Sequence, residues 1–179
     1  MEYLSIYFLL DNSGSMRGEP ILSLQNGLQS FVSTLVRNQS TFGRVLVSVI
    51  SFGDKAQMLV PLIDINSFSI PNMEIYGCTA LGDALNLAAQ EIDLETKVDD
   101  YRNHWRPVVF VLTDGEPTDD YRMGLYELRK RNIGNLVLCI AGQSAHAQDP
   151  WMTNISDCIA TLDTTDSNTL LNYILSTAE

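Results

Sequence analysis

The sequence predicts an α/β domain, a mostly parallel sheet with helices on both faces. Short, nearly continuous apolar runs recur along the chain, as strands covered on both faces require. Segments with apolar residues at steps of three and four lie between these runs and read as amphipathic helices. Strands alternating with helices of that length pair in parallel through crossover connections. The 179 residues suffice for one core, since a chain of this size buries roughly 70% of the surface its unfolded form exposes. No linker-like shift, repeat or low-complexity stretch divides residues 1–179, so one domain is expected.

Tyr3 to Leu10 is the first strand and ends at Asp11, where a Gly/Ser loop runs to Gly18. Pro20 suits a first helical turn, and Ile21, Leu24, Leu28, Phe31, Val32 and Leu35 form one apolar face of a helix reaching about Arg37. Val45 to Phe52 is the second strand. Gly53-Asp54-Lys55 is too short for a parallel crossover, so the third strand, Gln57 to Leu62, is expected as an antiparallel hairpin partner at the sheet edge. A helix begins near Thr79, with Leu81, Leu85, Ala88, Ala89 and Ile92 on one face, and Pro107 to Thr113 is the fourth strand. A helix from about Asp119 to Arg131 packs through Tyr121, Leu125 and Leu128, and Leu136 to Ala141 follows as the fifth strand. Asp149-Pro150 starts a short helical turn, Cys158 to Leu162 is a sixth strand, and Asp166 or Ser167 caps a last helix carrying Leu170, Leu171, Ile174 and Leu175.

The composition, 45% hydrophobic and 18% charged, is that of a folded globular protein. A net charge of −11 has the wrong sign for neutralising nucleic acid or an anionic bilayer, so neither is expected as a partner. Met1-Glu2-Tyr3 lacks a positive n-region and the first apolar run is short, which points to a cytoplasmic location. Cys78, Cys139 and Cys158 share no metal-binding spacing and are odd in number; Cys139 and Cys158 read as plain buried thiols.

In an open α/β sheet, ligands bind beyond the carboxyl ends of the strands. Strand one ends in Asp11-Asn12-Ser13-Gly14-Ser15, strand four ends in Thr113-Asp114-Gly115, and the loop before the second helix holds Gly77-Cys78-Thr79, so all three lie at strand ends or in loops able to meet on one rim. Asp11 and Asp114 offer carboxylates; Ser13, Ser15 and Thr79 offer hydroxyls. Hard oxygen donors without thiolate or imidazole suit Mg2+ or Mn2+ and suit zinc or copper poorly. The i, i+2, i+4 spacing lets a tight loop turn three side chains toward one point. Two carboxylates barely neutralise a divalent ion, so an open position would favour an anionic oxygen, such as a partner's Glu or Asp. Taken one at a time, the pentad is also an Asx/Ser turn, Asp114 a turn residue and Thr79 a helix N-cap.

These residues together resemble the metal-ion-dependent adhesion site of the von Willebrand factor type A domain, over the whole chain. Asp11 through Met16 with Gly18 to Ile21, Gly77 through Gly82, Trp105-Arg106-Pro107 and Leu112 through Asp119 are similar to the TerY-type bacterial proteins of tellurite-resistance and stress operons. The resemblance implies a Rossmann-like doubly wound sandwich, a six-stranded sheet in the order 3-2-1-4-5-6 that sets Asp11 beside Asp114. It also implies Ser13, Ser15 and Thr79 as direct ligands, and Asp11 and Asp114 as direct or water-mediated ones. Its further implications are a non-catalytic signalling scaffold and partners that are kinase-like or PP2C-type phosphatase proteins. Cys78 stands where the family usually has Gly, which threatens to restrict the loop at Thr79 and sets a thiol beside the site.

Glu116, Asp119 and Asp120 read as charge at a helix N-terminus or as a docking surface for a basic partner, with Arg17, Glu19 and the segment Gln143 to Trp151, including His146, completing that surface. Trp151 reads as half-core rather than as an interface anchor. A metal-dependent phosphoester hydrolase or phosphotransferase is the main rival. It lacks a second acid two residues after Asp11, a P-loop and a nucleophile elbow, and His104 precedes the fourth strand, away from the carboxyl rim. A structural interaction module with a vacant site is the third alternative.

Overall fold

All nine residues of β1 (Tyr3–Asp11) are buried, because β1 has hydrogen-bonded neighbours on both edges and helices on both faces. The computed structural model describes residues 2–98, 104–142, 149–162 and 165–178. With β2 (Arg44–Phe52), β3 (Ala56–Asp64), β4 (Val108–Thr113), β5 (Leu136–Ile140) and β6 (Cys158–Thr161), β1 forms a sheet in the order β3-β2-β1-β4-β5-β6. Pairing is parallel throughout except between β2 and β3, where the short turn leaves an antiparallel edge strand. Both the order and the reversed edge match the expectation.

Alternation along β1 divides the interior in two. Leu4, Ile6, Phe8 and Leu10 enter a core shared with α1 (Glu19–Arg37) and α6 (Ser167–Leu175). Tyr7 and Leu9 enter the other, shared with α3 (Leu81–Val98), α4 (Arg122–Arg129) and α5 (Pro150–Ile155). Phe8, Phe31 and Phe110 meet at ring-centroid distances of 5.0 to 6.2 Å in the first core. On the second face, the hydroxyls of Ser5 and Tyr7 both donate to the Glu95 carboxylate of α3, so the polar groups of this buried strand are paired.

Several boundaries differ from the expectation. A short helix, α2 (Gln39–Phe42), follows α1 and seats Phe42 against Trp105 at 5.2 Å. α4 starts at Arg122 rather than Asp119, because Asp119 is used elsewhere and Asp120 pairs with Arg122. α6 is capped by Asp166, whose carboxylate accepts from the Thr169 amide at 2.8 Å. Trp151 is core, 6% exposed, in line with its core reading. Cys139 is fully buried, which pushes its thiol up to about 12, whereas Cys158 is only half-buried. His146 and the rest of 143–148 lie outside the described residues. Among the described residues, no helix is long and apolar enough to cross a membrane.

Phe110→Ala removes the ring shared by Phe8 and Phe31, and the expected loss is about 3–5 kcal/mol of unfolding free energy, read as a lower urea midpoint at unchanged slope.

Candidate metal centre

Strand parity makes the site. Asp11 continues the Tyr7, Leu9 face of β1, and Thr113 continues the Val109, Val111 face of β4, so both side chains end on the same side of adjacent strands. Their meeting is a hydrogen bond of 2.5 Å from the Thr113 hydroxyl to Asp11 Oδ2. The second oxygen, Oδ1, accepts from the Ser13 amide at 2.8 Å. Asp11 is thus wholly buried with both carboxylate oxygens engaged by the protein. Burial raises its pKa above the ordinary 3.8 and the nearby Asp114 carboxylate adds to the rise, against the lowering hydrogen bonds from Thr113 and Ser13.

Beyond Asp11 the chain turns tightly through Gly14–Met16, with the Met16 amide donating to Ser13 O at 3.0 Å and the Met16 side chain plugged into the first core. Asn12 pins the loop from the other side. Its amide donates to Phe52 O, its carbonyl accepts from the Tyr76 amide and its side chain donates to Glu74 O. The turn presents Ser13, nearly buried, and Ser15, exposed, with their hydroxyl oxygens 3.1 Å apart. Ser15 in turn donates to Asp114 Oδ1 at 2.9 Å. Two oxygens of the β1 loop and one from the end of β4 therefore form a continuous row.

Thr79 is brought to the same rim by its backbone. Its amide donates to Thr118 Oγ1 at 2.9 Å, its carbonyl accepts from the Thr118 amide, and Gly77 O accepts from the Gly14 amide at 3.0 Å. The N-cap reading of Thr79 is corrected. The first-turn amides of α3, Gly82 and Asp83, donate to the Asp119 carboxylate at 3.0 and 3.1 Å, which leaves the Thr79 hydroxyl without a hydrogen bond among the described residues. Asp119 serves the N-terminus of α3, not of its own helix. Cys78 is exposed and none of the non-glycine residues described has a positive φ, so the thiol side chain does not strain the loop.

The structure gathers Asp11, Ser13, Ser15 and Asp114 by direct contacts and Thr79 through Thr118 and Gly77. The donors at the rim are hydroxyl and carboxylate oxygens alone, the set a small hard cation prefers, and the hydrogen bonds of 3.1 and 2.9 Å already hold three of them side by side. The residues present therefore fit a small hard cation. Thr113, Thr118 and Asp119 were missed as supporting residues; parity along β4 was a readable signal for Thr113, while Thr118 and Asp119 act on sequence-distant backbone. A cavity of about 500 Å3 lies at the opposite end, beside His104, Trp105 and Arg106, and holds none of these five residues. His104 stacks on Tyr3 there, with ring centroids 3.9 Å apart.

Residues 5–173 match the von Willebrand factor type A domain. The chain belongs to that family. Among solved structures, this von Willebrand A domain is similar to an aerotolerance-related membrane protein from Bacteroides fragilis NCTC 9343 with multiple mutations to serines, at 17% identity and TM-score 0.64 over 97% of this chain and 98% of that one. It is also similar to the manganese-loaded TRAP protein of Plasmodium vivax, at 21% identity and TM-score 0.64 over 97% of this chain and 72% of that one. Proximal thread matrix protein 1 of the mussel byssus, with a zinc-occupied metal-ion-dependent adhesion motif, matches at 19% identity and TM-score 0.63 over 98% of this chain but 46% of its own. At these identities the likenesses establish the fold. No curated protein matches this chain significantly.

Because the Asp11 pKa is raised in the fold, the folded state binds that proton more readily than the unfolded chain does. Its contribution therefore favours folding at low pH and is lost as pH rises through the folded value. In chelator, the parent is expected to lose urea stability relative to Asp11→Asn as pH rises from below 3.8 to 7, whatever the offset between the two at low pH; urea titrations across that range check it.

Proposed function

We propose that this von Willebrand A domain is a non-catalytic interaction module that holds Mg2+ or Mn2+ through Asp11, Ser13, Ser15, Thr79 and Asp114 and receives a Glu or Asp of a protein partner. The observation that carries this reading is the hydrogen-bonded row Ser13 Oγ, Ser15 Oγ, Asp114 Oδ1, which joins two strand ends through oxygens alone. Two carboxylates, one of them acting through water, barely neutralise a divalent charge and the hydroxyls add none, so when bound the cation would supply Lewis-acid attraction for one anionic oxygen from outside. The chain's residues do the remainder. Asp11, with both oxygens already bonded to the protein, orients the loop and acts on the cation through water, while Ser13 and Ser15 are the direct donors of that loop. The metals named for the mussel and Plasmodium proteins support a divalent occupant.

The finer reading, that this is a TerY-type scaffold of a cytoplasmic tellurite-resistance or stress system with kinase-like and PP2C-type phosphatase partners, rests on the sequence motifs. Against the hydrolase alternative, His104 is at the far end of the sheet, stacked on Tyr3.

Titration calorimetry with Mn2+ is expected to show binding to the parent chain and at least about a tenfold loss in Ser13→Ala and Asp114→Ala. Partner capture from the native host is expected to depend on Mg2+ and to disappear in chelator. Equal capture in both conditions would favour a structural module with a vacant site. Metal-dependent turnover of a phosphoester panel, lost in Asp114→Ala, would favour the enzyme.

A further inference from the structure

We infer that Asp54, on the β2–β3 turn, is a positioning residue for the cation site, clasping the loop that carries Thr79; this rests on the metal-binding reading of that site. Ser13, Ser15 and Asp114 follow directly from β1 and β4, whose ladders fix where each strand ends. The Thr79 loop has no ladder. It lies between the long connection after β3 and the first turn of α3, so its place depends on bonds from other segments.

Those bonds come one residue at a time. Gly77 O accepts from the Gly14 amide, the Cys78 amide donates to Asp54 Oδ1 at 2.8 Å, the Thr79 amide donates to Thr118 Oγ1 at 2.9 Å, and the Ala80 amide donates to Gly53 O at 2.9 Å. Of the three successive amides Cys78, Thr79 and Ala80, only Cys78 meets a carboxylate, and an amide bond to an ionised acceptor is roughly twice as strong as a neutral one. Gly77 sits at φ +82°, and a Cβ there would overlap the Asp54 carboxylate. The carboxylate therefore occupies the space a side chain at position 77 would take, in direct contact with the loop backbone. Among the described residues no Lys or Arg pairs with Asp54, so its strongest partner is this loop.

The clasp also accounts for Cys78. What holds position 78 is its amide, bonded across to the β2–β3 turn, so the side chain projects to solvent and its identity does not set the loop.

Mn2+ affinity of the full chain, measured by electron paramagnetic resonance titration, tests this with Asp54→Ala and Asp54→Asn, beside thermal melts in chelator. Asp54→Ala is expected to weaken Mn2+ binding about 10–100-fold, as loss of an outer support does, with the chelated melting temperature changed by no more than about 2 °C because the site is exposed. Asp54→Asn keeps a carbonyl oxygen for the Cys78 amide and is expected to stay within about threefold of the parent. Parent-like Mn2+ binding by Asp54→Ala overturns the clasp, and so does an Asp54→Asn loss as large as that of Asp54→Ala, which would mean that charge at a distance is what matters. A chelated melting temperature of Asp54→Ala lowered well beyond that range also overturns it, since the residue would then support the fold and not the site. A parent chain that binds no Mn2+ brings down the metal reading and the clasp together, whereas binding by the parent with no change in Asp54→Ala brings down the clasp alone.

Discussion

A carboxylate at the end of the central strand, with no exposure to solvent, must find polar partners or give up its charge. Asp11 finds two, the Thr113 hydroxyl from β4 and the Ser13 amide from its own loop. The first bond ties adjacent strands together at their carboxyl ends. The second forces the chain to turn back immediately after the strand, which is what brings Ser13 and Ser15 over the sheet edge rather than away from it. Without this one buried group, neither the β1 loop nor its approach to Asp114 would have a fixed origin. Burial still raises the pKa of Asp11, so the bonds compensate its desolvation only in part, and a nearby positive charge would complete the compensation.

The remaining parts of the rim are connected in the same manner, through side chains that satisfy backbone amides of neighbouring segments. Asp119 caps α3 from the loop after β4, Thr118 holds the backbone of Thr79, and Asp54 holds that of Cys78. Loops at a strand end have no ladder of their own, so each orphaned amide becomes an attachment point. Several acidic residues on this side of the molecule therefore hold backbone amides. Asp120 is paired with Arg122, and Asp83 accepts from the Ala56 amide.

That distribution bears on how an acidic chain would meet the acidic partner residue proposed for it. Long-range repulsion from a net charge of −11 is screened over about 8 Å in physiological salt, and a divalent ion held as proposed, by two carboxylates and neutral hydroxyls, would dominate its immediate surroundings. Several rim carboxylates already spend their hydrogen-bonding capacity on amides and on Arg122, so fewer remain to compete for the cation.

The continuous apolar runs of β1 and β4, the helical periodicity of α1 and α3 and the three-residue turn before β3 were legible in the sequence, because covered strands, amphipathic helices and tight turns each leave a local pattern. The candidate donors were legible as a set too, since Asp11, Ser13, Ser15 and Asp114 fall where β1 and β4 end and Thr79 falls in the loop before α3. Their supports were not. Asp119 looks like charge for its own helix and caps another, Thr79 looks like a cap and is not used as one, and Asp54 looks like an ordinary turn residue. Local spacing determines which element a residue belongs to, and therefore the strand order and the rim. Which backbone amide a loop carboxylate satisfies is decided only when segments tens of residues apart come into hydrogen-bonding contact, and no pattern within either segment records that meeting.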